Sequence, residues 1–455
     1  MKQIENTAEG IQQRSYISRL PFYYGWVILI AGAVGVLASI PGQTMGVSVF
    51  TDHLITSLNI SRVGISSAYM VGTLGSSLII SYAGVLFDRY GARPAAAVAA
   101  FFLSLFLLLL VFSSNIASLL ASIGIPSSIA AFAVIGFGFF GIRFFGQGVL
   151  TLVSRGMVAK WFSTHRGLAT GLMGITTSFG FSYAPQPLQH LINQYGWKSS
   201  LGILSALLMF LFLPFILAFF RSDPESCGLE MERGLPKPRK NRSARSEDAH
   251  VELELKDARR HAAFWVILLS LGYWSLFNTA FTFHIVSIYG EFGIDASQAV
   301  RIFLPISVIS VISRFLGSYL SDRIAIKYIY IVYGLSLIIA SVAMMMLQTA
   351  AGTALVIIGY GIGTGLFGML NIVTWPKIYG RKHLGAVSGF AMSIIVAGSA
   401  IGPWAFSMVY RFTHSYQGTG VIGLAVSSFI MLAILFIPFS TEKNKKGTTH
   451  ETRRC

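Results

Sequence analysis

The stretch GVLFDRYGAR, residues 84–93, sets Asp88, Arg89 and Arg93 between Gly84 and Gly91 and two long apolar runs. The run before it, 63–86, and the run after it, 95–113, each approach the ~20 residues an α-helix needs to cross a hydrocarbon layer. A short charged turn between two such runs reads as the tip of a membrane hairpin.

The same reading extends in both directions. Apolar runs fall at 23–50, 63–86, 95–113, 126–154, 169–194, 200–220, 263–290, 297–320, 328–347, 351–375, 384–410 and 418–438, about twelve in two groups of six. Composition agrees: 54% of the 455 residues are hydrophobic and only 11% charged, with a mean hydropathy of +0.66, whereas soluble domains are about a quarter charged.

Lys and Arg concentrate on the cytoplasmic side of membrane proteins. With a cytoplasmic N-terminus, the tails and the loops after even-numbered runs hold 28 of the 34 basic residues. Arg62, Lys198, Arg301 and Arg411 fall on the opposite side, and Arg143 and Arg314 lie inside runs. The expectation is a multi-pass protein of the cell membrane with both termini cytoplasmic. Basic loops against an anionic leaflet then account for the net charge of +16 without a nucleic-acid partner. No cleavable signal peptide is read at the start of the chain, because the first apolar run is too long for one. Cys227 and Cys455 both fall in predicted cytoplasmic segments, so neither a disulfide nor a zinc site is expected.

The expected organisation is an N-tail at 1–22, a six-helix half at 23–220, a cytoplasmic linker at 221–262, a second six-helix half at 263–438 and a C-tail at 439–455. Two internal echoes relate the halves. GVLFDRYGAR after run 2 is echoed by GSYLSDRIAIK, residues 317–327, after run 8. WFSTHRGLATG at 161–171 is echoed by IYGRKHLGAVSG at 378–389.

These residues carry a resemblance. GVLFDRYGAR matches the G-x-x-x-D-R-x-G-x-R signature of the major facilitator superfamily, in the loop where that family has it. SRFLGSYLSD, residues 313–322, resembles more narrowly the monocarboxylate and oxalate/formate transporter branches. The resemblance implies an all-α integral membrane protein with about twelve transmembrane helices in two six-helix pseudo-repeat halves. It implies transport by alternating access, with no cofactor, metal or catalytic residue. It also implies a gating latch at Gly84, Asp88, Arg89, Gly91 and Arg93, with Gly84 and Gly91 admitting close backbones, and a degenerate second copy at Asp322 and Arg323.

Away from their ends the twelve runs hold two arginines, Arg143 and Arg314, with Arg301 at the outer end of run 8, and the runs hold no Lys, Asp or Glu. A buried charge in a bilayer is costly unless something satisfies it, so these residues mark function or bracing. Arg143 is near the midplane, with Gln147 four residues on and Gly141, Gly146 and Gly148 leaving room for a close neighbour. Arg314 lies where the resemblance implies the anchor of a substrate carboxylate, and a guanidinium fork suits that group. Two departures stand out: run 11 lacks the oxalate exchangers' lysine, and run 1 lacks the animal monocarboxylate carriers' lysine.

Other substrate-binding candidates are Gln43 and Asn278, amides costly to bury unpaired. His284 is the candidate for a coupling proton. The expected partners are the lipid bilayer and a small, anionic, monocarboxylate-like substrate. An exporter of drugs, siderophores or other amphipathic metabolites on the same fold is the alternative. A non-transporting sensor lacks its extra domain here, and no metalloprotease or P-loop motif supports an enzyme.

Overall fold

The computed structural model describes residues 22–162, 166–230, 253–321, 323–379 and 384–439, and among these every regular element is helical. The chain gathers into two compact units, Met1–Lys240 with Phe281–Leu304, and Asn241–Ala280 with Pro305–Cys455.

In chain order the first helices are α1 (Gly25–Ala38), α2 (Thr44–Ser48), α3 (Thr51–Leu58), α4 (Arg62–Tyr90), α5 (Ala92–Val111), α6 (Ser113–Ser122) and α7 (Ser127–Ile142). A π-helical segment, Arg143–Leu150, joins α7 to α8 (Thr151–Trp161). Then come α9 (Arg166–Tyr183), α10 (Pro185–Ala206), a second π segment at Leu207–Phe212, and α11 (Leu213–Phe219).

After the linker follow α12 (Leu255–Ala258), α13 (Ala262–Gly290), α14 (Ala296–Ala299), α15 (Phe303–Ser321), α16 (Ile326–Met344), α17 (Ala350–Tyr379), α18 (Leu384–Thr413) and α19 (Gln417–Phe436). The residues of α13 are divided: those through Ala280 belong to the second unit and those from Phe281 to the first.

Ten helical stretches among the described residues are long and apolar enough to cross a membrane. One of them, Gly171–Phe219, covers two of the expected runs. These are separated at Gly196, whose φ of 77° and ψ of 159° leave the helical region. The first run is the other difference: α1 is only 14 residues long. Proline has no N–H to give the helix, and around Pro41 the chain makes a single 3₁₀ turn, Ile40–Gly42, before restarting at Thr44.

Candidate functional site

In the first unit the break in run 1 faces the π segment of run 4. A helix broken at membrane depth frees backbone carbonyls that protein groups must satisfy. Gly42 and Gly146 bring the two backbones together: a β-carbon at Gly42 would stand 2.2 Å from the Ile142 carbonyl oxygen and 2.9 Å from the Gly146 α-carbon. The π register begins at Arg143, which is only 2% exposed. Arg143 Nη1 donates to the Gly42 carbonyl and to Thr44 Oγ1, each at 3.3 Å.

The Thr44 and Tyr69 hydroxyls lie 2.8 Å apart, and the Arg143 guanidinium carbon is 5.0 Å from the centre of the Tyr69 ring. This charge is therefore stabilised by a carbonyl, a hydroxyl and an aromatic face, while its buried Nε has no hydrogen-bond partner among the described residues. Gln43 Nε2 donates to Ser39 Oγ at 2.9 Å and Thr151 Oγ1 at 3.2 Å, fastening α1 to α8 across the break. Gln147 is half-buried and makes no side-chain hydrogen bond among the described residues.

His284 is fully buried in the same unit. Its ring packs edge-on against Phe283 at 5.0 Å, and Phe283 lies 4.6 Å from Tyr69.

In the second unit Arg314 projects from α15 onto a glycine-lined face of α17. A β-carbon at Gly365 would stand 2.3 Å from the Ser310 carbonyl oxygen, and one at Gly368 would stand 2.4 Å from Arg314 Nη2. A side chain at position 368 would require the guanidinium to shift. Arg314 is half-buried and makes no ion pair or hydrogen bond among the described residues, and its Nε is buried without a partner. Asn278 is engaged elsewhere in the unit: its Oδ1 accepts from the Tyr360 hydroxyl at 2.6 Å.

The signature loop is braced against the start of the linker. Gly91 has a φ of +86°, a left-handed value costly for other residues. Its N–H donates to the Phe87 carbonyl at 2.8 Å, ending α4. A β-carbon there would meet Ser222 Oγ at 2.2 Å, and that hydroxyl accepts from the Ala92 N–H at 2.8 Å. Arg93 Nε and Arg221 Nη1 both donate to the Phe220 carbonyl, at 3.2 and 2.7 Å. Burial first, and then the neighbouring Arg93, lower the pKa of Arg221.

At Gly91 the close neighbour is thus a side chain, Ser222, and not a second backbone. Among the described residues no atom of another element lies within 4 Å of a β-carbon at Gly84, so packing makes no demand there. Arg89 is exposed, its guanidinium 5.4 Å from the Tyr90 ring. In the second copy Arg323 lies 4.0 Å from the Tyr319 ring. The Asp88 side chain and all of Asp322 fall outside the described residues.

Sequence reasoning did not single out Gly42, Thr44, Tyr69 or Gly368. The Pro41-Gly42 pair was the available signal for the first two. Tyr69 and Gly368 become relevant only through contacts made by distant elements.

The family model described as Major Facilitator Superfamily matches residues 27–403. The chain belongs to that superfamily. This major facilitator protein is 20% identical to monocarboxylate transporter 14 of Mus musculus, over 90% of both chains. It is 23% identical to monocarboxylate transporter 2 of Mesocricetus auratus, over 94% of this chain and 90% of the relative. Among solved structures, a D-xylose-proton symporter superposes with a TM-score of 0.62 at 15% identity, over 93% of this chain and all (100%) of the other. A bacterial homolog of the human lysosomal transporter Spinster, inward-facing and occupied, gives 0.63 at 14% identity, over 92% and 97%. The major facilitator chain is accordingly a multi-pass membrane transporter of small molecules, and not an enzyme.

Proposed function

We propose that this transporter carries a small organic anion of the monocarboxylate type, with Arg314 holding the substrate carboxylate. The observation that carries the reading is the half-buried Arg314 guanidinium over Gly368, without a hydrogen bond or ion pair among the described residues. An arginine fork makes two parallel, charge-assisted bonds to a carboxylate. The names of the relatives, monocarboxylate transporters, support the same substrate class.

Arg143 has a different environment, in which the Gly42 carbonyl, Thr44 and Tyr69 take up its charge. Its role in this proposal is to brace the break in run 1 and raise the local potential, with Gln43 as part of the same brace. The remaining parts of the proposal are alternating access between two halves at 23–220 and 263–438, a latch at the signature loop, His284 as the proton site, and a cell-membrane location with both termini cytoplasmic.

The test is binding and uptake of a panel of small carboxylates by the purified, reconstituted protein. Stabilisation and uptake by one of them, lost in Arg314→Gln and retained in a folded Arg143→Gln, is the expected result. A well-folded wild type without any carboxylate response overturns the proposal and favours export of larger amphipathic metabolites.

A further inference from the structure

The signature loop has an apolar counterpart that the latch does not use. Between the last turns of α4, the first turns of α5 and the π segment runs a cavity of about 290 Å³. Its floor is made of small side chains, Ala83, Ala95 and Ala99, and Leu86, Phe144 and Phe145 form part of its walls. Phe145 is held in place by stacking on Phe102 at 5.0 Å. The volume is at the bottom of the range for small-molecule sites, and such sites place a few polar groups to orient the ligand. Here, among the described residues, Tyr90 is the one lining residue that carries a side-chain polar group.

The setting decides the occupant. The groove lies on membrane-spanning helices, and its walls Leu86 and Val98 are 51% and 52% exposed, so it opens sideways where a bilayer supplies hydrocarbon chains. At one end stands Tyr90, 58% exposed, with the Arg89 guanidinium 5.4 Å from its ring. An alkyl-lined slot with an exposed arginine beside its lining tyrosine is complementary to a molecule that joins a hydrocarbon chain to a phosphate.

We propose that this groove binds an anionic glycerophospholipid, one acyl chain lying over Ala83, Ala95 and Ala99 and the phosphate resting on Arg89. The occupant is a bilayer lipid and not a free phosphate, because among the described residues the groove lining is apolar apart from the Tyr90 hydroxyl. Arg143 directly precedes the wall residue Phe144, so a lipid seated there packs against the segment that positions the buried arginine.

The test uses the full chain purified from membranes and exchanged into nanodiscs of phosphatidylcholine, with or without phosphatidylglycerol. Lipid retention is read by native mass spectrometry and stability by thermal unfolding. Wild type should retain phosphatidylglycerol in preference to phosphatidylcholine and unfold at a higher temperature in its presence, while soluble glycerol phosphate has no effect. Arg89→Gln should lose the preference between the two lipids and keep a bound lipid. Ala95→Phe, which fills the slot, should lose the retained lipid; Val98→Trp closes the open side and serves if Ala95→Phe does not fold. No preference in wild type overturns the proposal, as does undiminished retention in a folded groove-filling variant. Stabilisation by glycerol phosphate equal to that by the lipid would assign the site to a free anion and overturn it as well.

Discussion

The Arg314 guanidinium occupies the space a side chain would need at Gly368, with Nη2 2.4 Å from where a β-carbon would stand. Gly368→Ala must therefore displace the charged group while leaving its chemistry intact. If Arg314 holds the carboxylate, losing one charge-assisted hydrogen bond of about 1.5–3 kcal/mol raises KM by roughly tenfold or more. Uptake kinetics in vesicles check this, and an unchanged KM in a folded Gly368→Ala variant removes Gly368 from the anchoring role.

Arg143→Leu leaves the Gly42 carbonyl unpaired at the break in run 1. The expected loss of stability is about 1–3 kcal/mol, the cost of an unsatisfied buried acceptor. Thermal unfolding in detergent measures it. Stability equal to wild type would mean that Arg143 does not brace the break.

The two glycines of the signature loop should respond differently. Gly84→Ala meets no neighbour among the described residues and is expected to stay within about 0.5 kcal/mol of wild type. Gly91→Ala combines a left-handed φ with a clash against Ser222 Oγ and should cost about 1–3 kcal/mol. Comparing unfolding midpoints of the pair decides the point.

Acidification should weaken the short helix after run 1. Burial lowers the pKa of His53 from the ordinary 6.5, with Asp52 pulling the other way. Above 6.5 the imidazole is neutral in folded and unfolded chains alike, and this contribution to stability is fully present. As pH falls below 6.5 the unfolded chain protonates first, and stability is lost as pH passes through the lower folded value. The unfolding temperature should drop between neutral pH and about pH 5, and His53→Gln should make that drop smaller.

Asp88→Asn tests the latch. If Asp88 helps to hold one state of the transport cycle, turnover should fall several-fold, by roughly 1 kcal/mol of coupling, while carboxylate binding stays measurable by thermal shift. Wild-type turnover in this variant would remove the latch assignment.

The membrane class, the helical content and the superfamily were all legible in the one-dimensional pattern. Apolar run length answers to bilayer thickness, and GVLFDRYGAR is a local motif whose residues are adjacent in the chain. The two intramembrane arginines could be found the same way, since an isolated charge in an apolar run needs no coordinates to be noticed. What happens to those charges depended on contacts across about a hundred residues for Arg143 and about fifty for Arg314. The Gly42 carbonyl is left outside the helices of run 1 because Gln43 is extended, with a ψ of 155°, and the arginine that takes it up comes from another run, at a π register no periodicity announced. The tertiary fold alone decided that Arg143 meets a carbonyl, a hydroxyl and a ring, while Arg314 lies over a glycine without a hydrogen-bond partner among the described residues. A sequence declares the charge on a side chain, but packing decides which groups are close enough to answer it.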